Sequence, residues 1–312
     1  MDSCLFTYPS GPSVRTLAIA LLALPCLILA ACGGGSSSNA TSGPLSGNWQ
    51  MNLLQVDPAP QKALFVSGFL EQSSDALTGS VQGPTITNQS GVTNCAGTAL
   101  VAGTISGQNV TFSVNPGGTV FSFTGIISAD NTAMSGTYEA QGGACFTRPT
   151  TGTWTAALVP PLNGTFTGTL SDSTYMSLLT GVDPPAPIAV SGTFTQSTNA
   201  GASNATLTGT ITAVGYPCFT TASLSGTISG QNVYMNVFDY SGVQIGTLGV
   251  PGVAGIAGTP ATVVPSSASL SVTGSGQSGL SLGASGVPPC PALNGNGTNV
   301  TTDTTSVAFT LQ

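Results

Sequence analysis

Apolar and polar residues alternate along much of the chain. Val110, Phe112 and Val114 are interleaved with Thr111 and Ser113, and Phe121 and Phe123 with Ser122 and Thr124. A period of two sends successive side chains to opposite faces of a pleated strand, so these segments predict strands with one buried face. Turn residues punctuate them at intervals of about ten: Ser-Gly-Gln-Asn before a strand, Asp130-Asn131 between Ile127 and Met134, and many Thr-Gly pairs. No segment carries a 3.6-residue apolar period with helix caps. The pattern predicts an all-β protein of short antiparallel strands.

The pattern also repeats. MNLLQVDPAPQKALFVSGFLEQSS, from Met51 to Ser74, recurs as MSLLTGVDPPAPIAVSGTFTQST, from Met176 to Thr198. LVAGTISGQNVTFSV (Leu100 to Val114) returns as SLSGTISGQNVYMNV (Ser223 to Val237), and Gln108 to Gln231 spans the same number of positions as Cys95 to Cys218. LSGNW at Leu45 pairs with LNGTF at Leu162, and GTWTAAL around Trp154 with SVAFTLQ around Phe309. Self-similarity of this extent indicates two homologous units, 45–159 and 160–312, each with about seven or eight strands. The second unit is longer, and its excess falls near 243–267, an apolar uncharged stretch that reads as an extra hairpin, a flap over the unit's mouth, or low-complexity drift.

Each unit opens on a Gly-Asn-Trp49 type of strand and closes on a Gly-Thr-Trp154 type. An up-and-down barrel that seals by pairing its first and last strands fits this, and a β-sandwich is the alternative. The opening Gly47-Asn48-Trp49, the LTG segments at Leu77 and Leu207, and SGTY at Ser135 to Tyr138 resemble avidin- and lipocalin-type barrels. Biotin binders of that type rely on several pocket tryptophans, whereas this chain has Trp49 and Trp154 only, so biotin binding is not carried over.

Charge changes the picture. Asp, Glu, Lys and Arg make up 4% of the 312 residues, against roughly a quarter in ordinary soluble domains, so solubility rests on Ser, Thr, Asn and Gln. The net charge of −7 comes from scattered acids. With three basic residues in all, there is no cluster to neutralise a phosphate backbone, which argues against nucleic-acid partners.

Residues 1–31 read as a targeting segment. Arg15 precedes an uncharged apolar run, Thr16 to Ala31, that is short for a membrane-spanning helix and interrupted by Pro25. It ends Leu29-Ala30-Ala31-Cys32-Gly33, which resembles the lipobox of bacterial lipoproteins. That resemblance implies a diacylglyceryl group on the Cys32 sulfur, cleavage that leaves Cys32 as the N-terminus, and a membrane as partner. Gly33 in place of Asp implies, by the enteric rule, the outer membrane. Several acyl chains on one residue anchor stably, at about 0.8 kcal/mol per buried methylene. A plain secretory signal or a short transmembrane anchor is the alternative. The Gly- and Ser-rich stretch at 32–44 then serves as a flexible tether.

Four cysteines remain beyond Cys32: Cys95, Cys145, Cys218 and Cys290. In an exported chain they predict two disulfides, and the duplication favours Cys95–Cys145 and Cys218–Cys290, one per unit. A metal site is not expected, because no CxxC spacing occurs.

The chain has no His, which removes the usual general base and the commonest metal ligand, so no enzyme activity and no cofactor are expected. Glu71, Asp75 and Glu139 are the only carboxylates of the first unit worth weighing as a glycosidase pair, and solvated surface roles suit them better. Asp57 and Asp183 recur in both units in Val-Asp-Pro turns, where Asp caps the turn or marks a ligand mouth. Two functions follow from different classes. One is a binding module for a small apolar ligand or glycan, lined by Phe112, Phe121, Phe123 and Tyr138. The other is a structural or adhesive envelope protein whose barrels are filled. A lined cavity of roughly 300 Å³ or more inside a unit separates them.

Overall fold

Period-two alternation becomes strand almost everywhere it was read. In the computed structural model the first unit runs through β1 (Gly47–Asp57), β2 (Lys62–Ser73), β3 (Ala76–Gln82), a small hairpin of β4 (Ile86–Thr87) and β5 (Thr93–Asn94), then β6 (Thr98–Ser106), β7 (Asn109–Val114), β8 (Phe121–Ile127), β9 (Ala133–Ala140) and β10 (Thr150–Val159). The structure describes residues 43–57, 61–84, 86–87, 93–95, 97–143, 145–146, 148–172, 186–198, 201–216, 219–249, 261–265, 270–279 and 304–312. The targeting segment, Cys32, the tether as far as residue 42, Asp183, Cys218, Cys290 and stretch 250–260 lie outside the described residues.

Every β1–β10 neighbour pair is antiparallel, each large strand pairs with the next, and β10 returns to β1, giving a closed eight-stranded up-and-down barrel. Closure leaves no free edge. The alternation sorts the faces as expected: in β7, Val110, Phe112 and Val114 are buried, and in β10 so are Gly152, Trp154 and Ala156.

The second unit comprises β11 (Gly164–Asp172), β12 (Ile188–Thr198), β13 (Ala205–Ala213), β14 (Thr221–Ser229), β15 (Asn232–Phe238), β16 (Gln244–Leu248), β17 (Ala261–Pro265), β18 (Leu270–Gly279) and β19 (Thr304–Leu311). These form one nine-stranded antiparallel sheet in which β11 pairs with both β12 and β19, and β14 pairs with β15. β16 pairs with the latter part of β15, from Met235 to Phe238, and β17 with its start, at Asn232 and Val233; both also pair with β18. β16 and β17 therefore share one strand position, which the inserted residues interrupt. Set aside that interruption and the order of pairings matches the first unit, with the chain passing from one sheet to the other between Val159 and Gly164.

Matching hydrogen bonds underlie the duplication. Gln72 Oε1 accepts from the Leu45 N–H at 3.1 Å, and Gln196 Oε1 from the Leu162 N–H at 2.9 Å. Each glutamine's own N–H then donates back, Gln72 to Ser46 Oγ at 2.9 Å and Gln196 to Asn163 Oδ1 at 2.8 Å. Both units thus use the second strand to pin the chain entering the first.

The outer face of the second unit is built on hydroxyls. Outward positions Thr165, Thr167 and Thr169 of β11, Ser191, Thr193, Thr195 and Ser197 of β12, Thr206 to Thr212 of β13 and Thr221 to Thr227 of β14 are Ser or Thr at every second residue. Cross-strand pairs such as Thr104–Thr111 and Thr193–Thr210, each with hydroxyls 3.1 Å apart, link such rows.

Candidate functional site

The interior of the first barrel is packed with rings. Phe112 stacks on Phe123 at 4.6 Å, Trp154 meets both edge-on at 5.4 and 5.6 Å, and Phe121 and Tyr138 lie beside Phe123 at 6.3 and 5.9 Å. All five are at most 4% exposed. Inward-facing glycines make the room: a Cβ on Gly125 would stand 2.7 Å from Trp154 Cζ2, and one on Gly152 2.6 Å from Tyr138 Cε1. The four side chains expected to line a ligand cavity, Phe112, Phe121, Phe123 and Tyr138, thus pack against one another. Neither of the two clefts described below includes them.

One polar atom in this core stands out. The Tyr138 hydroxyl is buried without a hydrogen-bond partner among the described residues, and burial pushes its phenol up to about 12. Trp49 and Trp154 are satisfied, the former donating to the Leu45 carbonyl at 2.9 Å and the latter to the Thr137 and Thr124 carbonyls at 3.1 and 3.3 Å.

Two connections at one end of the barrel are tied together. Cys95, preceding β6, and Cys145, between β9 and β10, are joined as a disulfide with Cα atoms 5.2 Å apart. Thr119 Oγ1 accepts the Cys145 N–H at 3.1 Å, and Phe146 packs edge-on against Phe121 at 5.8 Å. Asp57 is exposed at this same end, where it pairs with Thr151.

The carboxylates do not converge. Register sets Glu71 just beyond Leu70, opposite the start of β1, whereas Glu139 pairs with Thr151 and hence lies level with Asp57 at the end of β1. Glu71, Asp75 and Glu139 are all exposed. Among the described residues no group of three or more His, Cys, Asp or Glu is placed to hold a metal ion, and no helix is long and apolar enough to cross a membrane.

The polar residues that do converge lie on a seam outside the barrel. Asn48 and Gln50 on β1 and Ser67 on β2 point outward yet are 3 to 6% exposed, because the β14–β15 turn of the second unit covers them. Asn48 grips Gly230 twice, donating from Nδ2 to its carbonyl at 2.8 Å and accepting its N–H at Oδ1 at 2.6 Å. The Gln231 N–H donates to Gln50 Oε1 at 3.1 Å, and the Ser67 and Ser229 hydroxyls share a 2.9 Å bond. Phe69, outward on β2, belongs to the second unit's apolar cluster together with Val159 and Leu162.

This turn is the second copy of the repeated Ser-Gly-Gln-Asn. Its first copy, Ser106 to Asn109, is exposed. The receptor has not been duplicated: the counterparts of Asn48 and Gln50 are the exposed Thr165 and Thr167. Nothing in the sequence sets Asn48 and Gln50 apart, since β1 carries a third outward amide, Asn52, that is exposed.

Two clefts flank the seam. One, of about 520 Å³, lies between β2–β3 and β14–β15; the other, of about 650 Å³, lies beside the Pro160-Pro161 connection and includes Glu71, whose Oε1 accepts the Gly201 N–H at 3.3 Å. Comparison of the chain with protein-family models, curated proteins and solved structures finds no match. The avidin- and lipocalin-type likeness accordingly rests on the motif residues alone.

Proposed function

We propose that this chain is an exported, non-catalytic lipoprotein of the cell envelope, anchored by acyl chains on Cys32, at the outer membrane, and acting through the outside of its β units. The observation that carries the second half of this reading is the filled interior of the first barrel: stacked Phe112 and Phe123, with Trp154 edge-on, occupy the space a small apolar ligand would need. A packed barrel offers its outer wall for work, in a structural or adhesive role. The anchor half is supported by Leu29-Ala30-Ala31-Cys32 and by the uncharged tether that follows. A disulfide at Cys95–Cys145 suits an oxidising compartment.

Fractionation tests it. Wild-type protein should sediment with membranes and Cys32→Ser should be released into the soluble fraction, whereas equal retention of the variant would refute the anchor.

A further inference from the structure

The cleft of about 520 Å³ between the two units falls within the roughly 300–1,000 Å³ of small-molecule sites. Phe65 stands on its first-unit wall and Tyr234 on its second-unit wall, joined by the side chains of Gln82, Asn204, Thr227 and Asn232. Phe65 is 60% exposed, although its outward neighbours on β2, Ser67 and Phe69, are covered by the second unit. The carboxamides of Asn204 and Asn232 have no hydrogen-bond partner among the described residues, while Gln82 is held in place, its Nε2 donating to Ser203 Oγ at 2.9 Å and to Thr98 Oγ1 at 3.2 Å. None of the described lining residues carries a charge.

We infer that this cleft is a binding site for a neutral oligosaccharide. A sugar ring presents an apolar C–H face and a rim of hydroxyls that both donate and accept. Aromatic faces take the first, and free carboxamides, which carry a donor and an acceptor side by side, take the second. The absence of charge leaves an anionic or cationic ligand without an ion-pairing partner. A peptide strand has no edge to extend here, since β2, β3, β14 and β15 each pair on both sides. The Asn204 and Asn232 carboxamides would be left unpaired by a purely apolar ligand, at a cost for each group that loses water.

The site is assembled by docking. Its two walls come from different units, and two of its lining residues, Ser67 and Ser229, form the hydrogen bond that holds the units together. The inference extends the surface-acting reading above by naming what one part of the surface takes, and it is tested independently of the anchor.

The experiment uses the full chain, detergent-solubilised, on an array of unbranched neutral oligosaccharides of two to six sugars with sialylated and sulphated counterparts. Titration calorimetry with the strongest neutral hit follows. Binding of a neutral glycan should weaken at least tenfold in Phe65→Ala and in Asn232→Ala, with unchanged thermal unfolding midpoints. Gly230→Ala, which disturbs the docking turn, should weaken it too, and Gly107→Ala, the same change in the exposed copy, should not. No neutral binder, acidic binders only, or binding that survives both Phe65→Ala and Asn232→Ala would overturn the assignment. Because Cys32 takes no part in this measurement, its failure would leave the membrane anchor standing, and the reverse holds as well.

Discussion

Gly230 and Gly107 offer an internal comparison that isolates the docking of the two units. Both occupy the same place in the repeated Ser-Gly-Gln-Asn turn, with φ of +56° and +61°. Alanine in this left-handed region costs roughly 1–2 kcal/mol at either site. Beyond that they differ. A Cβ on Gly107 would meet nothing within 4 Å, whereas one on Gly230 would stand 2.6 Å from Ser67 Cβ and against the Gln50 carboxamide, whose Nε2 donates to the Met51 carbonyl at 3.3 Å. The turn must lift, and the two Asn48 bonds, the Gln231–Gln50 bond and the Ser67–Ser229 bond are lost or lengthened. At a net 0.5–1.5 kcal/mol each, with water reaching the freed groups, four bonds amount to about 2–6 kcal/mol. Urea unfolding should therefore show Gly230→Ala less stable than Gly107→Ala by that margin. Equal losses in the two variants would refute the claim that this turn carries the docking.

Three further outcomes follow from named groups. Tyr138→Phe removes a buried hydroxyl without a partner, a group that costs about 1–3 kcal/mol, so the variant should be more stable by about 1 kcal/mol in chemical denaturation; a loss of that size would show that the hydroxyl is bonded. Replacing Cys95 and Cys145 together by Ala opens a 50-residue loop, for which chain entropy predicts a loss of about 4 kcal/mol; a change near zero in calorimetric unfolding would contradict it. Asp130 is held down to about 2, first by the Ser128 hydroxyl at 2.6 Å and then by Thr132, below the ordinary 3.8. Its contribution to the β8–β9 turn is complete above about pH 4 and lost as pH falls through about 2. A carboxylate NMR titration should give that low midpoint and Ser128→Ala should raise it, while a wild-type midpoint near 3.8 would refute the assignment.

What the sequence made legible is what alternation and repetition encode. Period two assigned inward Val110, Phe112, Val114, Phe121 and Phe123, turn residues divided the strands, and the Trp49 and Trp154 segments marked the first and last strands of a closed barrel. Alternation says which side chains face inward but not whether they meet. Filling depends on rings from β7, β8, β9 and β10 facing small residues across the register, as Trp154 does Gly136 and Tyr138 does Gly152, and that match is visible only once strands are paired. The seam was hidden for another reason: Asn48, Gln50 and Ser67 are equally at home in water, so their chemistry alone does not announce a partner. Residues 243–267 read as a hairpin, a flap or drift, and their described parts are strands β16 and β17 completing a single strand position beside β15.

The central claim is a lipid-anchored protein with a disulfide-closed barrel, and intact mass spectrometry of protein purified from native membranes tests it most directly. The expected result is a chain that begins at Cys32, carries the added mass of diacylglyceryl and further acyl groups on that residue, and contains Cys95 linked to Cys145. A chain with an unmodified Cys32 thiol, or one that begins elsewhere and carries no lipid, would contradict it.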